Sequence, residues 1–175
     1  MAMHIIIDGY NLIRQSNRLS RKDREDIQMG RDALVDHLAA YKKIRGHRMT
    51  AVFDGGNAPS YSLHRDRVKG IDIVYSRFGQ TADAVIKDMV DRDREKALVV
   101  SSDREVMSYA ASRGCATVSS PEFEERIDMA LLMDEKGLRE PEGDSVGWKP
   151  TTRKKGPRRR LPKRRRRNQN KLRKL

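Results

Sequence analysis

Short runs of apolar, mostly β-branched residues recur along this chain, and longer helical patterns follow most of them. The runs are His4–Ile7, Met49–Phe53, Ile71–Tyr75, Ala97–Val100 and Cys115–Val118. Their apolar residues are continuous rather than alternating. A strand of that kind has to bury both faces, which is the signature of a parallel sheet covered by helices on either side. The intervening stretches supply those helices. Arg24–Arg45 places Ile27, Ala33, Leu34, Leu38, Tyr41 and Ile44 near one stripe and stops at Gly46. Thr81–Arg94 starts on a capping threonine and puts Ala82, Val85, Ile86, Met89 and Val90 on one side. Arg104–Arg113 ends at Gly114, and Pro121–Met133 opens on a proline suited to a first turn. Right-handed crossovers then give a doubly wound α/β domain with a parallel five-stranded sheet. In such sheets ligands bind beyond the carboxyl ends of the strands. The same pattern serves many functions, so it decides none of them.

Charge divides the chain into two unlike parts. Of its 38 Lys and Arg, 14 lie in residues 151–175, which hold no Asp or Glu. Removing them leaves 24 basic against 25 acidic residues in 1–150, a body that is nearly neutral. Residues 1–137 are expected to form the folded domain. Residues 138–150, with Pro141, Gly143, Gly147 and Pro150, read as a linker, and 151–175 as a disordered basic tail. Cys115 is the one cysteine, so no internal disulfide forms, which fits a reducing cytoplasm. The apolar run before Asp8 is too short for a signal peptide or a membrane span, and no membrane association is expected.

The strand ends carry the chemistry. Asp8-Gly9-Tyr10-Asn11 follows the first strand, Asp54-Gly55-Gly56-Asn57 the second, and Ser101-Ser102-Asp103-Arg104 the fourth. Asp83 falls in the first turn of the helix after the third. Each aspartate alone has a structural explanation as a turn residue, a cap or a partner of the helix dipole. Together they are harder to dismiss. Two like charges ~4 Å apart repel by roughly 4 kcal/mol at an effective dielectric near 20. Oxygen ligands without neighbouring His or Cys suit Mg²⁺ or Mn²⁺ rather than Zn²⁺. His4, His37, His47 and His64 show no ligand spacing and read as structural or surface residues.

The run Ile5-Ile6-Ile7-Asp8-Gly9-Tyr10-Asn11-Leu12-Ile13 resembles the opening motif of NYN domains, a branch of the PIN-like nuclease superfamily. Thr81-Ala82-Asp83 and Val99-Val100-Ser101-Ser102-Asp103-Arg104 resemble its later motifs in the expected order. The resemblance covers about residues 3–134 and is greatest to the YacP-like group of bacterial NYN proteins; the basic tail lies outside it. It implies strand order 3-2-1-4-5 and an Mg²⁺- or Mn²⁺-dependent endoribonuclease of the bacterial cytoplasm. It assigns catalytic metal-site roles to Asp8, Asp83 and Asp103. It makes Asn11 a catalytic polar group orienting substrate or water, and Asp54 a supporting metal ligand.

Phosphodiester hydrolysis needs a nucleophile and relief of negative charge, and a bound divalent ion supplies both. Ser101 and Ser102 either donate to phosphate oxygens or only shape the turn before Asp103. Tyr10 either stacks on a base or packs inside. In the tail, Arg158, Arg159, Arg160, Arg164 and Arg165 sit in runs that attract polyanions through counterion release. The tail has no aromatic residue, so it is expected to add affinity for RNA, including ribosomal RNA or the ribosome, without sequence choice. The leading alternative is a PIN-like protein that docks on RNA or the ribosome without cutting it. A haloacid-dehalogenase phosphatase would want an aspartate where Tyr10 stands. RNA over DNA rests on the resemblance alone.

Overall fold

The computed structural model describes residues 3–56, 64–137 and 163–175. Its centre is β1 (His4–Asp8), whose Ile5, Ile6 and Ile7 are wholly buried. Successive side chains of a strand point to opposite faces, and here both faces are covered. Ile5 and Ile7 join a core with helices α1 (Gly9–Gln15), α2 (Asn17–Glu25), α3 (Ile27–Arg45) and α6 (Ser120–Glu135). Ile6 joins a second core with α4 (Ala82–Asp93) and α5 (Arg104–Ser112). At about 1.5–3 kcal/mol per buried aliphatic side chain, this strand alone anchors both layers.

β1 is flanked in parallel by β2 (Arg48–Phe53) and β5 (Ala97–Val100). β4 (Ile71–Tyr75) extends the sheet beyond β2, and β6 (Ala116–Val118) extends it beyond β5, again in parallel. Among these five strands the order is the expected 3-2-1-4-5. The sheet nevertheless has six strands, in the order β3-β4-β2-β1-β5-β6. The added β3 (His64–Val68) pairs antiparallel with β4 at the edge, with all five residues exposed. Lys69 and Gly70, at φ 51° and 82°, make the two-residue turn between them. A strand buried on neither face carries no apolar pattern, and its charges blunt the open edge.

The single helix expected over Arg24–Arg45 is two. Asp26 takes extended angles (φ −158°, ψ 130°) and caps α3, ending α2 one residue earlier. Ser16 makes a similar break between α1 and α2, its hydroxyl accepting from the Leu19 amide.

The larger correction concerns the basic C-terminal segment. The linker residues and Arg158, Arg159 and Arg160 lie outside the described residues. Residues 163–172 are not disordered: they form α7 (Lys163–Leu172), which packs along β6. Leu175 enters the first core at 3% exposure, and its carbonyl accepts from the Tyr41 hydroxyl. Arg126 donates to the Leu172 carbonyl at 2.7 Å, the His47 ring bonds the Lys174 carbonyl at 2.9 Å, and Arg167 pairs with Glu95. Composition suggested a segment with too little apolar surface to order itself. A buried leucine and carbonyls met by body donors order it instead. These contacts lie near the amino ends of the strands, away from the aspartates. No helix among the described residues is long and apolar enough to cross a membrane.

Leu175→Ala should therefore cost about 2 kcal/mol in urea unfolding and speed trypsin cleavage at Lys171. Equal cleavage rates in both proteins, read by mass spectrometry, would contradict the docked segment.

Candidate functional site

The first residue beyond the apolar core of β1 is an acid. Asp8 is 7% exposed, caps α1 and accepts from the Asn11 amide at 3.3 Å. Its second oxygen accepts from the Ser101 hydroxyl at 3.1 Å. Burial raises its pKa from an ordinary 3.8 to about 6; the Asn11 and Ser101 hydrogen bonds pull it down, and the charges of Asp83 and Asp54 push it up.

Ser101 follows the fully buried strand β5, and its hydroxyl also accepts from the Asp103 amide at 3.1 Å. One serine thus ties the ends of β1 and β5 together. It is 0% exposed, and of its two readings, phosphate donor or shaper of the turn before Asp103, the hydrogen bonds it makes here match the second; Ser101 positions Asp8. Ser102 is also turned to the fold. Its amide donates to Asn11 Oδ1 at 2.8 Å, and its hydroxyl accepts from the Ser120 amide at 3.3 Å. Ser120 Oγ donates to the same Asn11 oxygen at 2.7 Å. Asn11, in the first turn of α1, therefore cross-links the segments after β1, β5 and β6 through its side-chain oxygen, and its amide nitrogen has no hydrogen bond among the described residues. Ser120 was missed by sequence reasoning. Its signal was position, just beyond the last apolar run.

Asp83 lies in the first turn of α4 and makes no hydrogen bond among the described residues. Its pKa is raised, first by burial and then by Asp103, with Asp54 and Glu105 adding and Lys87 opposing. Asp83 thus feels Asp103 and Asp54, and Asp8 feels Asp83. The four acids share one end of the sheet, as the strand-end reading expects. Asp103 also fulfils its bland role, capping α5 through the amides of Glu105 (2.7 Å) and Val106 (3.2 Å). Asp54 accepts from the Ala82 amide at 2.7 Å and the Ser76 hydroxyl at 3.5 Å, so it fastens both ends of the loop between β4 and α4.

Among the described residues, no three His, Cys, Asp or Glu side chains stand close enough to form a metal cage. A three- or four-aspartate cage is thus not preassembled. Mg²⁺ asks for less: it keeps several waters and binds through one or two carboxylates. A buried, charge-stressed Asp8 beside an Asp83 without hydrogen bonds fits that demand. The histidines stay out of the acidic set: His4 pairs with Asp93, His37 with Arg18, His47 with Lys174, and His64 lies against Tyr75.

Tyr10 is half-buried and makes packing contacts. Its ring meets Phe53 edge-on at 5.1 Å, and its hydroxyl accepts from Arg31 Nε at 2.8 Å. Gly9 is required there: a Cβ would lie 2.3 Å from the Phe53 ring.

Asp8→Asn keeps a capping acceptor and removes the buried charge. In EDTA the variant should be more stable than wild type at pH 8, by on the order of 3 kcal/mol. The folded-state pKa lies above the unfolded one, so wild-type stability falls as pH rises from 3.8 to about 6. The advantage should thus vanish near pH 4. Urea titrations giving the same difference at pH 4 and pH 8 would show that Asp8 carries no such stress.

Comparison with known proteins places this geometry. The YacP-like NYN domain family matches residues 5–174, through α7, so the basic segment expected outside the family pattern falls within it. The chain is 26% identical over 89 residues to the uncharacterized protein YacP of Bacillus subtilis, a stretch covering 49% of each chain. It thus spans about half the length of that curated relative. A crystal structure of Rae1 (YacP) from Bacillus subtilis superposes with a TM-score of 0.61 at 22% identity, covering 79% of this chain and 80% of that one. A single-substitution mutant of the same protein gives 0.64 at 20% identity, covering 76% and 79%. These likenesses show the fold. NYN domains are generally nucleases, and this chain belongs to their YacP-like family.

Proposed function

We propose that the chain is a divalent-metal-dependent endoribonuclease of the cytoplasm, cutting RNA at the carboxyl ends of β1, β4 and β5. The observation that carries this reading is the buried Asp8 carboxylate, with its raised pKa and with Asp83 and Asp54 as electrostatic neighbours. A fold that gathers acids so is relieved by a cation at that spot. Asp8 and Asp83 would hold Mg²⁺ or Mn²⁺, with Asp103 and Asp54 adding negative potential. The chemistry such an ion supplies is a water of lowered pKa and charge relief at phosphate oxygens. The chain's own residues do the positioning. Ser101 fixes the rotamer of Asp8, Asn11 is itself fixed through its side-chain oxygen, and Asp54 fastens the loop that leads to Asp83.

The cations of residues 151–175 supply affinity for the RNA backbone, with ribosomal RNA as one target class. Of these, Arg165 and Arg166 are exposed on α7. The thiol of Cys115 is buried and its pKa pushed up to about 11 by that burial, which suits an inert cysteine in a reducing compartment.

A second reading, an RNA-binding protein that does not cut, draws on the described residues forming no preassembled cage. Labelled single-stranded and structured RNA incubated with Mg²⁺, Mn²⁺ or EDTA separates the two. The expected result is metal-dependent cleavage that Asp8→Asn abolishes. Ser101→Ala should lower the rate by roughly 10–100-fold. Binding without cleavage under every metal condition would favour the second reading.

A further inference from the structure

Two arginines that have no carboxylate partner among the described residues meet at Tyr10. The Arg31 guanidinium lies 5.4 Å from the Tyr10 ring centre, 5.7 Å from that of Phe53 and 5.3 Å from that of Tyr75. Arg14 lies 5.8 Å from Tyr10. Neither arginine forms an ion pair among the described residues. Three half-buried or buried rings favour a cation at Arg31, but they do not neutralise it. Drawing a second cation to the same tyrosine is unfavourable unless an anion joins them.

The position is informative. Tyr10 lies two residues beyond Asp8, Phe53 immediately before Asp54, and Tyr75 immediately before Ser76, which bonds Asp54. The arginines therefore sit at the strand ends that carry the acids. Orientation adds to this. A guanidinium has five N–H donors, and the Tyr10 hydroxyl takes two of Arg31's, from Nε and Nη2. That leaves the Nη1–Nη2 edge without a partner among the described residues, and neither nitrogen is among the buried unpaired atoms. Two parallel N–H groups on one edge match the oxygens of a phosphate.

We propose that Arg31, aligned by Tyr10 and assisted by Arg14, is an anchor for a backbone phosphate of single-stranded RNA, next to the acids that receive the scissile one. The proposal rests on the nucleic-acid reading of the site. It gives the acidic end of the sheet its own attraction for a polyanion, separate from α7 at the other end. Arg31 would thereby set where a bound strand lies relative to Asp8.

The test compares full-length wild type with Arg31→Gln, Arg31→Lys and Tyr10→Phe. Binding of labelled oligouridylate is titrated in EDTA over a range of salt concentrations. Arg31→Gln should weaken binding about ten-fold and reduce the log–log salt slope by roughly 0.7, the value of one lost phosphate contact. Arg31→Lys should keep the slope but lose affinity, because an ammonium lacks the fork. Tyr10→Phe should fall between, with the charge present but misaligned. In cleavage assays Arg31→Gln should raise KM with little change in kcat. A guanidinium that only packs would lower the melting temperature of Arg31→Gln and leave slope and KM unchanged; that result overturns the proposal even if wild type cuts RNA. If wild type does not cut, the salt slope still decides Arg31 while the nuclease reading fails alone.

Discussion

Asp8 is the point where the demands of folding and of chemistry meet. It ends a strand whose three preceding residues are sealed from water on both sides, so its carboxylate has little solvent to stabilise it. The Ser101 hydroxyl and the Asn11 amide are the compensation the fold supplies. One comes from the first turn of α1 and the other from the turn after β5, and these segments hold each other through Ser102, Ser120 and the Asn11 oxygen. The carboxyl end of the sheet is thus a cross-linked polar plate, assembled around a charge that the apolar layers below it disfavour.

What the sequence made legible follows from that organisation. The five parallel strands could be read because double burial forces continuous apolar runs, and their ends could be read because acids there interrupt such runs abruptly. β3 was illegible because its five residues face solvent, leaving only Lys69-Gly70 before Ile71 as a hint of a hairpin. The break at Asp26 was hidden inside a helical stripe, since a capping aspartate is also an ordinary helix-surface residue. α7 was misread because composition weighs a segment against water, whereas Leu175, Leu172 and the carbonyl partners Tyr41, His47 and Arg126 belong to the fold it joins. At the site, residue type gave the aspartates but not their division of labour. Asp103 and Asp54 serve backbone amides while contributing charge, and Ser101 turned out to face inward. Arg31 lay in a helix remote in sequence, where nothing marked it apart from other basic residues.

The YacP-like family membership and the structural likeness to Rae1 agree with the α/β reading. They bear on the architecture more directly than on the reaction. Within the chain, four aspartates at one end of the sheet are linked by electrostatic influence, a serine positions one of them, and two arginines nearby have no ion pair among the described residues.

The contact between Gly9 and Phe53 reaches beyond the turn it shapes. The ring that leaves no room for a Cβ at position 9 also stacks against Tyr75 and backs the Arg31 guanidinium. A methyl group added at 9 would press on the floor beneath the arginine as well as on the start of α1. Positions 9 and 53 are therefore not free to vary independently: a larger residue at one calls for a smaller one at the other, and that exchange would remove the aromatic support under the cation.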